Sequence, residues 1–426
     1  MYKKRIVDDY LNKITKVFNA VNIIGPKGCG KTTTAKERCK TIIEFQDEEK
    51  RENYILISNL SPSQFLQNAK PILFDEWQDA PKIWGTIRKD CDDHPYDVGS
   101  YYLTGSSSKI VNTSHTGTLR IATIRMNPLS LFESGESNGQ ISLKDLFDNP
   151  NKEISCHSSM SFLDIINSIC IGGWPKSLSI PSNELKLLVA KELYKQTYSV
   201  DIANINNKAK NSNIARAIMQ SYARNICTTA DTTTIFQDVQ ANYDISKSTF
   251  YEYIRALEDL CIIEDLNAWC PAIRSKSSIR SGKKRNFVDP SIAVAALGLS
   301  PDYFKNDFKT LGFLFESLCI RDLKIYSQTS NGTISYYRDR YDLEVDCVLH
   351  LEDGRYALIE FKLGDFEIDK AAKHLCMVES LINEHNSKEK GGKIRLPDLK
   401  IIITGTSYGY RREDGVLVIP IGCLKD

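Results

Sequence analysis

The ten residues GPKGCGKTTT, Gly25 to Thr34, constrain this chain more than any other stretch. They fit G-x-x-x-x-G-K-[ST] through Gly25, Gly30, Lys31 and Thr32, after the apolar run AVNII and ahead of a stretch of helical character. Glycine makes up about 7% of an average protein, so a chance match in a chain of this length is on the order of one in a hundred. Only a strand–loop–helix unit puts such residues to use. Its glycines let backbone N–H groups close around phosphate oxygens, and the helix start adds the positive end of its dipole. Gly25, Pro26, Lys27, Gly28, Cys29, Gly30, Lys31, Thr32 and Thr33 are therefore expected to cradle the phosphates of ATP. Lys31 reaches the β- and γ-phosphates and Thr32 binds Mg2+.

Such a loop needs an acid for its metal. PILFDEWQDA supplies Asp75 for Mg2+, directly or through water, and Glu76 to polarise the attacking water. The alternative is a pair of exposed acids at a strand end. YYLTGSSS places Thr104 and Ser106 at another strand tip, where a hydroxyl senses the γ-phosphate; Thr-Gly-Ser also makes an ordinary turn. Arg120 and Arg125 flank the next strand. Arg120 is the arginine-finger candidate, in cis or across a subunit boundary, against the commoner fate of a surface ion pair.

Around these motifs, residues 1–135 alternate short apolar runs (AVNII, YILIS, PILF, YYLT, RIATIRM) with helical or loop stretches, which predicts an α/β domain with a largely parallel sheet. The whole chain has 426 residues, enough for several cores. With 26% charged and 42% hydrophobic residues and a net charge of +1, it reads as soluble and globular, and its overall charge announces neither nucleic acid nor membrane. It contains no run of about 18 apolar residues, and its first residues lack the apolar core of a signal peptide. The twelve cysteines form no CxxC pair, so reduced thiols and a cytoplasmic location are expected.

ESGESNGQ, Glu133 to Gln140, marks a boundary. Residues 136–230 read as a helical region interrupted by GGWP, Gly172 to Pro175, a sharp turn. Residues 231–300 give helix, turn, helix and two strands, the order of a winged helix. Its basic loop carries Arg274, Lys276, Arg280, Lys283, Lys284 and Arg285 without an acid, which suits DNA phosphates or a solvated loop. Residues 301–426 form a further α/β module.

Within that module EVDCVLHLEDGRYALIEFKLG, Glu344 to Gly364, reads as a hairpin closed by Glu352, Asp353 and a left-handed Gly354. That register sets Asp346 directly opposite Glu360, although facing like charges destabilise a sheet. It also sets Glu344 against Lys362, an ordinary favourable cross-strand pair.

Taken in order, GPKGCGKTTT, ILFDEWQDAP, YYLTGSSS, LRIATIRMNPLSLFE, GGWP, NFVDPSIAVAAL, FESL, EVDCVL and IEFKLG resemble the bacterial and archaeal AAA-type ATPases whose C-terminal half is a domain of unknown function. The resemblance runs nearly end to end. It implies a P-loop NTPase domain, a winged-helix segment and a C-terminal module similar to the PD-(D/E)xK nuclease fold. In that fold Asp346 and Glu360 bind Mg2+ or Mn2+, Lys362 orients or activates water, and Glu316 in FESL completes the site. One departure stands out: the family has Gly-Arg before the late strand, where this chain has Leu119-Arg120. Family membership does not settle the output, and two readings stand. One is an ATPase acting on nucleic acid, DNA rather than RNA, through its winged helix and nuclease-like module. The other is a nucleotide-dependent switch that binds a protein partner through a catalytically inactive nuclease-like fold.

Overall fold

The computed structural model describes residues 2–106, 117–202, 210–270, 282–339, 343–388 and 393–426. The chain divides into two units: Met1–Pro128 with Arg255–Ile262, and Leu129–Ile254 with Ile263–Asp426.

The first unit is built on five strands, β1 (Ala20–Ile24), β2 (Thr41–Glu44), β3 (Ile72–Asp75), β4 (Tyr101–Gly105) and β5 (Ile121–Arg125). They lie in the order β2–β3–β4–β1–β5 with every neighbouring pair parallel. Successive side chains go to opposite faces, and both faces are covered. Ala20, Ile72, Phe74, Tyr101 and Leu103 pack on one side with Trp77 and Trp84, whose rings stack at 4.8 Å. Val21, Ile23, Leu73, Tyr102 and Ile124 pack on the other with Val7 and Leu11 of the helix Val7–Ile14. Burial on both faces explains why these strands read as apolar runs rather than alternating ones.

The second unit holds a mixed sheet of seven strands: β7 (Ser155–His157), β8 (Thr333–Arg338), β9 (Glu344–His350), β10 (Tyr356–Lys362), β11 (Leu399–Thr404), β12 (Tyr408–Arg411) and β13 (Leu417–Pro420). Their order is β7–β12–β13–β11–β10–β9–β8. A small parallel pair joins β6 (Ile141–Ser142) to β14 (Leu424–Lys425). Two of these strands, β6 and β7, fall in the stretch read as helical. They are only two and three residues long and gain their partners from the far end of the chain. Local periodicity cannot detect such strands.

The helices Thr232–Gln240 and Lys247–Asp259 follow as expected, and Ser246 Oγ caps the second by accepting from Thr249 N–H at 3.2 Å. The two strands expected after them reduce to isolated antiparallel bridges, Ile263 with Phe287 and Leu266 with Lys284.

A buried ionic network ties the remaining motifs together. The GGWP turn presents Gly173 N–H to Asp289 Oδ2 at 2.9 Å and Trp174 Nε1 to Ser291 Oγ at 2.9 Å. A side chain on Gly173 would run into the Leu129 carbonyl, 2.0 Å from an added Cβ, so glycine is required there. Arg321 donates to Asp289 at 3.0 Å and pairs with Asp322 at 2.7 Å. Asp322 in turn accepts from Leu131 N–H at 2.9 Å. FESLCIRD, NFVDPS, PLSLFE and GGWP are thus parts of one contact set.

Candidate functional site

Two sites emerge, one in each unit. In the first, β1 ends at Ile24 and the phosphate loop follows, with Gly25, Gly28 and Gly30 at φ 155°, 77° and 102°. Such positive φ values are what glycine adopts without penalty. At Gly25 a side chain would also strike the Met126 carbonyl, 2.2 Å from an added Cβ. Lys31 is buried and donates to the carbonyls of Gly25 and Pro26 at 2.9 and 3.0 Å.

Parallel register brings the neighbouring strand tips to this loop. Asp75 is the last residue of β3 and pairs with Thr104 of β4, which pairs in turn with Ile23 of β1. Asp75 Oδ1 accepts from Thr32 Oγ1 at 2.6 Å and from Thr104 Oγ1. A carboxylate and a hydroxyl are the hard oxygen donors that Mg2+ takes, so Thr32 and Asp75 fit the ion. Thr104 joins the group by bonding to Asp75. Glu76 is held at φ 51°, a left-handed backbone that costs a non-glycine residue about 1–3 kcal/mol. Its carboxylate accepts from Gln78 Nε2 and, at 3.4 Å, from Ser106 Oγ.

Arg5 went unnoticed in the sequence. It is buried, and it donates to the carbonyls of Cys29 at 3.0 Å, Asn127 at 2.9 Å and Pro128 at 3.0 Å, fixing the phosphate loop to the chain after β5. Nothing in the run KKRIV distinguishes it from a surface arginine.

Arg120 lies elsewhere. Arg125, not Arg120, pairs with Ile24 beside the loop; Arg120 precedes the start of β5, roughly 17 Å from Arg125 at about 3.3 Å per residue. It forms an ion pair with Asp92 at 2.7 Å. A finger acting in cis on its own phosphate loop is therefore excluded by strand direction. Leu119 beside it takes φ 67°, the glycine-like conformation, while its side chain is 79% exposed. A left-handed non-glycine residue costs about 1–2 kcal/mol, and glycine gives back part of that in chain entropy. Leu119→Gly is accordingly expected to raise unfolding stability by up to about 1 kcal/mol in chemical denaturation.

In the second unit the β9–β10 hairpin has the expected register, with Tyr356 opposite His350 and Ile359 opposite Cys347, and Gly354 is left-handed at φ 87°. Beyond Ile359 the Asp346 carboxylate accepts from Phe361 N–H at 3.0 Å. Lysine side chains relieve the facing carboxylates. Lys362 Nζ lies 2.8 Å from Glu360 and 3.4 Å from Asp346, and His374 Nδ1 lies 3.0 Å from Glu360. The expected Glu344–Lys362 pair is absent. Glu344 instead meets Lys284 at 3.0 Å, and Lys284 also bonds Glu316 at 2.8 Å.

Lys284 corrects the reading of the basic loop. It is buried in this cluster, and Arg285 is buried against Asp265 at 2.7 Å, so neither is available to DNA phosphates. Lys283 is exposed; Arg274, Lys276 and Arg280 lie outside the described residues. A lysine in an all-basic run looks solvated, and only the tertiary fold carries it inward.

Burial opposes the charge on Lys284, but Glu316, Asp346 and Glu344 outweigh it and hold the ammonium well above the ordinary range. Burial pushes Glu316 up to about 8, with Lys284 opposing and Asp346 adding to the rise. Burial also works to raise Asp346, yet Lys362, Lys284 and the Phe361 N–H prevail and hold it low. Glu360 is raised by burial and by Asp346, against the His374 and Lys362 contacts. Among the described residues no group of three or more His, Cys, Asp or Glu is arranged to hold a metal ion. The expected Glu316–Asp346–Glu360 set is not such a group: Glu316 bonds Lys284, and Asp346 and Glu360 share Lys362.

Comparison with known proteins bears first on the phosphate loop. Residues 17–134 match the model of an AAA domain. The chain carries an AAA-type P-loop domain. Residues 163–303 and 311–424 match two domains of unknown function, DUF8612 and DUF4143. No protein of curated function matches the chain. Among solved structures, a Walker-type ATPase of Pyrococcus abyssi is 14% identical with a TM-score of 0.41, over 68% of this chain and 93% of that one. A STAND ATPase with a tetratricopeptide repeat sensor from Pyrococcus horikoshii is 13% identical with a TM-score of 0.22, over 74% and 47%. The Hef helicase domain of Pyrococcus furiosus is 12% identical with a TM-score of 0.20, over 94% and 89%. At these scores the likenesses are too distant to inform function. No helix among the described residues is long and apolar enough to cross a membrane, and each of the twelve cysteines is a free thiol.

Proposed function

We propose that the first unit binds ATP with Mg2+ and hydrolyses it. The observation that carries this reading is the meeting of Thr32 and Thr104 on one oxygen of Asp75, beside Lys31 at the end of the loop. Lys31 exchanges its two carbonyl partners for phosphate oxygens, and loop N–H groups take the rest of the charge. Thr32 and Asp75 hold the ion, which when bound supplies charge stabilisation at the phosphates. Glu76 orients and polarises water from its fixed backbone position. Any finger role for Arg120 requires a second copy of the chain. Lys31→Ala should reduce Mg2+-dependent phosphate release to background while the circular dichroism spectrum is kept. Retained turnover would overturn the assignment.

For the remainder we infer a winged-helix segment over 231–300 and, over 301–426, a PD-(D/E)xK-like module that serves as a nucleotide-controlled docking platform for a protein partner. The lysine-neutralised carboxylates support this choice. The close grouping of Asp346, Glu360 and Lys362 favours the rival reading, cleavage of nucleic acid. Incubation with plasmid, single-stranded DNA and RNA in Mg2+ or Mn2+, with and without ATP, separates the two. Cutting that Asp346→Ala abolishes would establish the rival.

A further inference from the structure

The GGWP turn has no part in either site, yet it forms the wall of a cavity of about 330 Å3 within the second unit. Pockets for small ligands occupy about 300–1,000 Å3. Three polar features converge on it. Ser177, two residues after the turn, is 5% exposed and its hydroxyl has no hydrogen-bond partner. A buried hydroxyl without a partner costs about 1–3 kcal/mol, which a ligand or water acceptor removes. The helix Asn183–Gln196 starts at the cavity with Asn183 and Lys186 in its first turn, and Ser182 provides no side-chain cap. Its start is a place for a carboxylate, with Lys186 as counter-charge.

Glu136 supplies the opposite charge. Its two oxygens accept from Ser134 Oγ and Ser168 Oγ, which orient the carboxylate and leave each oxygen a second lone pair. Asp164 also lines the cavity, but its carboxylate is engaged by Ser161 at the start of its own helix. One lysine against two acids disfavours a multiply charged anion such as phosphate. It suits a ligand that carries one charge of each sign. Leu129, Met160, Ile171 and Trp174 complete the wall with apolar surface.

We infer that this cavity binds a free α-amino acid with an apolar side chain. The carboxylate sits at Lys186, Ser177 and the helix start, the ammonium faces Glu136, and the side chain lies against the GGWP wall. The site is separate from the phosphate loop and does not depend on ATP hydrolysis.

Calorimetric titration of the full chain with leucine, methionine and valine tests this, beside 4-methylpentanoate and isopentylamine, which are leucine without its ammonium or its carboxylate. At least one amino acid should bind, and the two truncated forms should bind leucine's site about tenfold more weakly or worse, the value of one charge-assisted contact. Lys186→Met should weaken amino-acid binding about tenfold and abolish the preference over the amine. Glu136→Gln should abolish the preference over the acid, and Ser177→Ala, a conservative change in a buried position, should weaken binding without loss of folding. Absence of binding by all three amino acids overturns the inference. So does equal binding of 4-methylpentanoate, or binding that survives Lys186→Met unchanged.

Discussion

Replacing Glu76 by Gln is expected to lower ATP hydrolysis about 10²- to 10⁴-fold, the usual contribution of a positioned group that handles a proton. Nucleotide affinity should hardly change, because Lys31, Thr32 and Asp75 keep their positions. The backbone makes the prediction specific. Glu76 pays for its left-handed conformation in stability, and glycine would relieve it, yet the fold presents a carboxylate there at φ 51°. Glu76→Gly should therefore be at least as stable as the parent and as inactive as Glu76→Gln. Measuring phosphate release, nucleotide binding and thermal stability on both variants separates the roles. An active Glu76→Gly protein would remove Glu76 from the mechanism.

The second large effect concerns Lys284. Lys284→Met removes the shared partner of Glu316 and Glu344 and leaves the buried Glu316 carboxyl without its hydrogen-bond donor, a change that costs about 1–3 kcal/mol. The pH dependence has a definite sign. The folded Glu316 carboxyl is raised from 4.5 to about 8, so the folded state holds this proton more tightly than the unfolded chain does. Its contribution to stability is fully present below about pH 4.5 and is lost as pH rises toward 8. Glu316→Gln cannot lose a proton and should flatten this part of the profile. Thermal melts between pH 5 and 8.5 on the parent, Glu316→Gln and Lys284→Met check both statements. A parent whose stability rises across that window to the same extent as the Gln variant would contradict the assignment for Glu316.

Much of the first site was legible in the sequence because its chemistry is local. The glycine spacing of GPKGCGKTTT demands positive φ at Gly25, Gly28 and Gly30, and the apolar runs before it and before Asp75 demand buried parallel strands. Arg120 could not be placed from the sequence because a residue's position beside a strand does not say which end of the sheet it occupies. Strand direction and register decide that, and they set Arg125 next to the loop. Leu119 in a glycine-like conformation shows the same limit from the other side: the surrounding turn fixed the backbone against the residue's own preference.

In the second unit the hairpin could be read from alternation and Gly354, which fixed its register from Tyr356 opposite His350 to Ile359 opposite Cys347, next to Asp346 and Glu360. Lys362, which bridges the two carboxylates, belongs to the same hairpin, but the other charges around them could not be read from it. Lys284 comes from 62 residues before Asp346 and His374 from 14 residues after Glu360, and neither spacing has a local signature. By itself the sequence determined what short-range sterics and periodicity control: the phosphate loop, the apolar strands and the hairpin register. The tertiary structure alone decided which charges were buried together. That choice depends on desolvation and on partners distant along the chain, and no stretch of sequence records it.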